Sequence, residues 1–225
     1  MIIKQNLEEI LKTVAKGCTL IAVSKTHPVE KVLEAYNCGQ RVFGENKVQE
    51  MTAKYEALPK DIQWHLIGHL QSNKVKYIAP FVHLIHSIDS LKLLQEVDKQ
   101  AKKFNRVIDC LLQIHIAQEE TKFGFSESEV EALLRDPALS DLQGIRVVGI
   151  MGMASFTENM DQVRAEFKTL KKLFEELKSM TLPKNVVMQE LSMGMSGDYT
   201  IAMEEGSTMV RVGSAIFGQR NYPIA

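Results

Sequence analysis

Thr19-Leu20-Ile21-Ala22-Val23-Ser24-Lys25-Thr26-His27-Pro28 reads as a short apolar strand that ends at a lysine and is broken by the proline. An open doubly wound sheet would carry closely spaced, phosphate-cradling glycines directly after its first strand. Ser24-Lys25-Thr26-His27-Pro28 stands there instead, so a closed barrel is the expected architecture. In such a barrel functional groups gather at the carboxyl ends of the strands, where Lys25 falls. An amine at the end of a buried strand loses hydration, which favours its neutral, nucleophilic form and suits Schiff-base chemistry with a carbonyl. On this segment alone, a first solvated residue after a strand is the simpler reading of Lys25.

Outward from that strand, short apolar runs alternate with longer amphipathic stretches, the pattern of repeated βα units around a parallel sheet. Eight runs can be counted: Thr19 to Lys25, Arg41 to Glu45, Ile62 to Gly68, Leu84 to Asp89, Val107 to Ile116, Ile145 to Ala154, Val186 to Met193 and Thr208 to Phe217. Eight is the number that a (β/α)₈ barrel requires. Helices are expected at Ser90 to Phe104, Ser126 to Arg135 and Asn159 to Lys178. Ser126 with Glu129 fits a capping box, and Thr157 is placed to cap the third helix. A further helix from about Asn6 to Val14 would plug or flank the barrel. No linker or composition shift divides the chain, so residues 1–225 are expected to form one domain.

The 225 residues suffice for a substantial core, and a net charge of −1 gives no global attraction to nucleic acid or anionic lipid. The N-terminus has acids where a signal peptide would be apolar, and no run reaches membrane-spanning length, so a cytoplasmic protein is expected. Cys18, Cys38 and Cys110 are odd in number and far apart, as expected of reduced core residues.

Several strand ends carry polar residues. Asn46 in Phe43-Gly44-Glu45-Asn46 reads as a helix cap, or as a donor to a ligand oxygen. His65 and His69 have the spacing of helical metal ligands, but the run around them is strand-like and no acid or cysteine cluster completes a site. No metal is expected, and His86 and His115 read as satisfied buried histidines. The strongest signal lies in the last third. Leu191-Ser192-Met193-Gly194-Met195-Ser196-Gly197-Asp198 sets small residues with free backbone N–H groups before a helical stretch through Glu205, an arrangement that favours an anion. Gly213 and Ser214 after the eighth strand add donors, and barrels often bind phosphate with these two loops. A tight turn with a serine cap is the simpler alternative. Arg211, between Val210 and Val212, points opposite to both, where an interior guanidinium needs an anion, a carboxylate or an acceptor ring nitrogen.

A lysine for an aldehyde, an arginine for a ring nitrogen and an amide-rich cup for a phosphate together describe a pyridoxal 5'-phosphate (PLP) site. Here Ala22-Val23-Ser24-Lys25, Phe43-Gly44-Glu45-Asn46, Trp64-His65-Leu66-Ile67-Gly68-His69-Leu70-Gln71, Lys122-Phe123-Gly124-Phe125, Leu191-Ser192-Met193-Gly194-Met195-Ser196 and Arg211-Val212-Gly213 resemble, in the same order, segments of the pyridoxal-phosphate homeostasis protein family. The resemblance runs over nearly the whole chain. It implies a single barrel like the N-terminal barrel of alanine racemase (PLP fold type III-like), in a protein that binds PLP without established turnover. It implies further that Lys25 forms the Schiff base and Arg211 faces the pyridine nitrogen. Ser196, Gly213 and Ser214 would hold the phosphate, with Asn46 near the ring hydroxyl. Met151-Gly152-Met153-Ala154 departs from the leucine- and threonine-containing loop of many members, which bears on pocket packing.

Two functions are then open: a carrier that buffers or delivers PLP and so maintains vitamin B6 and amino-acid homeostasis, or a PLP-dependent amino-acid racemase. A racemase needs a second acid/base on the opposite face of the substrate. In alanine racemase that group comes from another domain and subunit, and this chain ends a few residues after its eighth strand, so the carrier is expected, with no catalytic residue assigned. Tyr199 and Tyr222 are alternative proton donors, more simply read as packing residues with a wet hydroxyl. The expected partners are PLP, free amino acids and PLP-dependent apo-enzymes, with no nucleic acid or membrane, for a monomer.

Overall fold

The computed structural model describes residues 2–117 and 124–219. Eight parallel strands follow one another around a closed barrel: β1 (Thr19–Val23), β2 (Val42–Glu45), β3 (Gln63–Leu66), β4 (Leu84–Ile88), β5 (Ile108–Ile114), β6 (Ile145–Gly152), β7 (Val186–Met195) and β8 (Met209–Val212). β8 closes on β1 with Ile21 opposite Arg211 and Leu20 opposite Val210. The long helices on the outside are α1 (Ile2–Thr13), α2 (Val29–Asn37), α3 (Val48–Ala57), α5 (Leu91–Lys103), α6 (Glu127–Arg135) and α8 (Met160–Ser179). Shorter turns of helix are α4 (Val75–Ile78), α7 (Pro137–Ser140), α9 (Tyr199–Glu204) and α10 (Ser214–Phe217). All eight expected strands are present, in the chain order of a (β/α)₈ barrel. Among the described residues no helix is long and apolar enough to cross a membrane.

The two-residue period of a strand divides the core into two parts. Ala22, Phe43, Trp64, Ile85, Val210 and Val212 belong to a large cluster shared with the helices. Ile21, Leu84, Leu111, Val148, Met151 and Met209 form a smaller cluster enclosed by the strands. Arg211 and its register partner Ile21 therefore share the barrel interior, as the alternation around Arg211 predicts.

Local chemistry explains the element ends. The Ser126–Glu129 capping box forms, and the Ser90 side chain accepts from the Leu93 amide at the start of α5. α8 is capped by Asn159 rather than Thr157. Asn159 accepts from the Gln162 amide, while the Thr157 hydroxyl accepts from the amide of Asn159 itself. The eighth strand is shorter than expected, because the chain turns at Gly213 and enters α10 at Ser214. α1 starts at Ile2, buries Ile3, Leu7 and Ile10, and packs on α10 and α2. It flanks the barrel, with Asn6 donating to the Ile216 carbonyl at 3.0 Å. All three cysteines are free thiols; Cys110 is buried, whereas Cys18 and Cys38 are half-buried.

The β6–β7 ladder slips between Val147 and Gly149, bringing the Glu190 carbonyl against Gly149. A Cβ at position 149 would lie 1.8 Å from that oxygen, closer than packing allows. Gly149→Ala is expected to lower stability by about 3 kcal/mol or more, as severe overpacking does. Urea unfolding checks this, and a wild-type midpoint would contradict the packing.

Candidate functional site

Lys25 lies two residues beyond the end of β1, and the chain bends sharply after it. Thr26 has φ 67°, a left-handed conformation that a β-branched residue adopts only under restraint. The restraint is a buried polar cluster between the β1 end and α3. Glu50 accepts from the Thr26 amide at 2.6 Å and from Lys54 at 2.8 Å. Lys54 also donates to the Ser24 carbonyl and to Glu45, each at 2.7 Å, and the Ser24 hydroxyl donates to the same Glu45 oxygen at 2.6 Å. Ser24, Glu45 and Lys54 are buried. Burial lifts the Glu45 carboxyl to about 7, against the opposing pull of Lys54 and Ser24. The residues on both sides of Lys25 are thus held from behind, and the half-buried lysine lines a cavity at the carboxyl ends of the strands.

That cavity, of about 420 Å³, brings together Lys25, Asn46, Ser196, Arg211, Gly213 and Ser214. Arg211 is 4% exposed, and its Nη1 and Nη2 donate to the Ser192 hydroxyl (2.6 Å) and the Gly152 carbonyl (3.1 Å). Among the described residues no carboxylate lies within ion-pair distance of it. Burial therefore lowers its pKa to about 10, although the charge of Asp198 works in the other direction. The Gly213 amide donates to Ser196 Oγ at 3.0 Å, linking the loops after β7 and β8. Asp198 closes the β7 loop by accepting from the Met195 amide at 2.5 Å, and burial raises its pKa.

Two features correct the sequence reading. Asn46 is not a helix cap: α3 is preceded by Lys47, which makes no side-chain cap bond, and Asn46 faces the cavity. Gly68 lets it do so, because a Cβ there would lie 2.5 Å from the Asn46 carbonyl. The helices behind the two loops read as an anion site are short, six residues in α9 and four in α10, so any such site there would rely on local amides and hydroxyls more than on helix dipoles.

The other polar residues fall elsewhere. His69 is exposed and 3.5 Å from Asp89, while His65 is buried inside the barrel, so the two do not converge. Among the described residues no cluster of three His, Cys, Asp or Glu is suited to a metal. His115, the residue after β5, is half-buried and does not line the cavity. The Tyr199 hydroxyl bonds to Thr13 on α1 at 2.9 Å, on the outer surface. Tyr222, and Lys122-Phe123 of the Lys122–Phe125 segment, lie outside the described residues. Met153, from the loop that sequence reading tied to pocket packing, lines the cavity, whereas Phe156 and Met160 beside it were missed. Also missed was the Glu45–Lys54 pair, for which the only signal was the unusual acid ending β2.

The sequence matches the family described as "Alanine racemase, N-terminal domain" over residues 2–221. It is 41% identical to the pyridoxal phosphate homeostasis protein of Aquifex aeolicus, over 97% of this chain and 98% of that one. The chain belongs to the pyridoxal phosphate homeostasis protein family. The human family member is 40% identical over 90% of this chain and 77% of its own. PipY of Synechococcus elongatus, solved with PLP bound, superposes with a TM-score of 0.86 at 36% identity, over 96% of this chain and 100% of that one. The alanine racemase of Clostridium difficile shares the fold alone, at 14% identity and a TM-score of 0.76, with this chain covering 57% of it.

The cluster behind Lys25 is open to test. A carboxyl whose folded pKa is raised stabilises the fold below its unfolded pKa and loses that contribution as pH rises through the folded value. Removing Lys54 raises Glu45 further. Lys54→Met is expected to lose about 3 kcal/mol at pH 8 and clearly less at pH 5, where Glu45 takes up a proton. Urea unfolding at the two pH values checks this, and equal losses would contradict it.

Proposed function

We propose that the cavity at the carboxyl ends of the strands is the PLP site of this family member, and that the protein binds PLP reversibly and buffers or delivers it. One observation carries the reading: Arg211 is buried, has no carboxylate ion-pair partner among the described residues, and lines the same cavity as Lys25. The donor set fits the cofactor, with an amine for the aldehyde, a guanidinium for the ring nitrogen, and Ser196, Gly213 and Ser214 for the phosphate. Asn46 lies nearest the ring hydroxyl in this reading. Bound there, PLP supplies an aldehyde and an electron-withdrawing ring.

The same geometry argues for a carrier. Arg211 opposes protonation of the ring nitrogen, which makes the ring a weaker electron sink than a carboxylate partner would. Among the described residues lining the cavity there is no tyrosine, histidine or cysteine, and Asp198, the one carboxyl group, already binds the Met195 amide. A second acid/base for racemisation is therefore not provided by these residues. In this reading the partners are PLP, free amino acids and apo-enzymes that require PLP, and the protein works as a cytoplasmic monomer.

The PLP-loaded protein is expected to absorb in the visible-violet region through its bond to Lys25, and Lys25→Ala should abolish that band; its retention would refute the assignment. Ser214→Asp, which sets a negative charge against the phosphate, should weaken PLP binding by about tenfold or more, and unchanged affinity in a spectroscopic titration would remove Ser214 from the phosphate cup. Incubation with a panel of L-amino acids should give no racemisation above the free-PLP background. Turnover above that background would favour the racemase.

A further inference from the structure

Three polar side chains that the cofactor site does not use stand in line inside the barrel beneath Arg211. Arg211 Nη1 is 2.6 Å from Ser192 Oγ on β7, which lies 3.0 Å from His86 Nδ1 on β4. His86 Nε2 lies 3.0 Å from His65 Nδ1 on β3. Arg211, Ser192, His86 and His65 are 4%, 0%, 0% and 2% exposed, so no bulk water competes for these bonds. At the far end, His65 Nε2 is buried with no partner among the described residues, and His65 lines a second cavity at the opposite mouth of the barrel.

Counting protons gives the line a direction. A guanidinium only donates, so Ser192 Oγ accepts from Arg211. The Ser192 proton then needs an acceptor, and among the described residues His86 Nδ1 is the one in reach. His86 must carry its proton on Nε2 and give it to His65 Nδ1. His65 in turn carries its proton on Nε2, at the end of the chain where His65 lines the second cavity. The reverse order would leave the buried Ser192 proton without an acceptor. Burial keeps both rings neutral: it lowers His65 to about 3, with His83 adding to the effect, and holds His86 well below the ordinary range, with His65 and Arg211 adding to it.

We infer that Ser192, His86 and His65 form a one-way hydrogen-bond chain that positions Arg211, fixing the direction of its guanidinium without neutralising its charge. The inference rests on Arg211 meeting the ring nitrogen of PLP. A carboxylate in place of Ser192 would orient the arginine equally well but would pair with it. A neutral hydroxyl, polarised from behind by two imidazoles, orients it and leaves the positive charge for the ligand.

The test has two arms. In the unliganded protein, ¹⁵N NMR of labelled histidines at pH 7 should show both buried rings in the Nε2–H tautomer, and an Nδ1–H tautomer at His86 or His65 would overturn the chain. In PLP-loaded variants confirmed as folded by thermal melting, Ser192→Ala should shift the absorption maximum of bound PLP and raise its Kd about tenfold, as expected for a lost hydrogen bond to a charged group. His86→Phe should act in the same direction and less strongly, and Ser192→Thr, which restores the hydroxyl, should behave like the wild type. A folded Ser192→Ala with wild-type affinity and spectrum would overturn the positioning role. Should Ser192→Ala fail to fold, the NMR arm decides the matter. Because that arm needs no PLP, it also judges the chain independently if Lys25→Ala retains the visible band and the cofactor assignment itself falls.

Discussion

A guanidinium inside a barrel, with no carboxylate in ion-pair contact among the described residues, sets the terms for the rest of this structure. Desolvating such a charge is costly, and a fold retains it when neutral acceptors hold its N–H groups and a site remains for an acceptor brought from outside. Arg211 meets both conditions, with Ser192 and Gly152 as acceptors within the protein and an open cavity on its remaining side. The loops after β7 and β8 and Lys25 after β1 line that cavity. In the proposed reading they act together as a three-point grip for one flat, phosphorylated ligand.

Much of this was legible in the sequence because it follows strand periodicity. Alternation around Val210-Arg211-Val212 turns the arginine inward, and the ends of eight apolar runs mark where Lys25, Asn46, Ser196 and Gly213 come together. What escaped depends on contacts between elements distant in the chain. Lys54 looks like an ordinary surface residue of α3 until the fold lays it across Ser24 and Glu45. His65 and His86 are twenty-one residues apart and meet only because β3 and β4 are neighbours in the barrel. Asn46 resembled a cap because asparagine before a helix usually is one, but Gly68 admits its backbone to a different position.

The cluster behind Lys25 and the chain beneath Arg211 solve the same problem in opposite ways. Behind the lysine, a charged network of Glu45, Lys54 and Glu50 holds a strained turn at Thr26, so the amine is presented by backbone geometry. Beneath the arginine, neutral groups give direction without cancelling charge. A carrier benefits from this division. In the proposed reading Lys25 and Arg211 hold the cofactor at two points, while the described residues of the cavity provide no second proton-transfer group.

The central claim is that Lys25 is the residue that bonds to PLP. Borohydride reduction of protein loaded with one equivalent of PLP, followed by peptide mapping by mass spectrometry, tests it most directly. A single pyridoxyl group on Lys25 is expected. Label spread over surface lysines, with Lys25 unmodified, would contradict it.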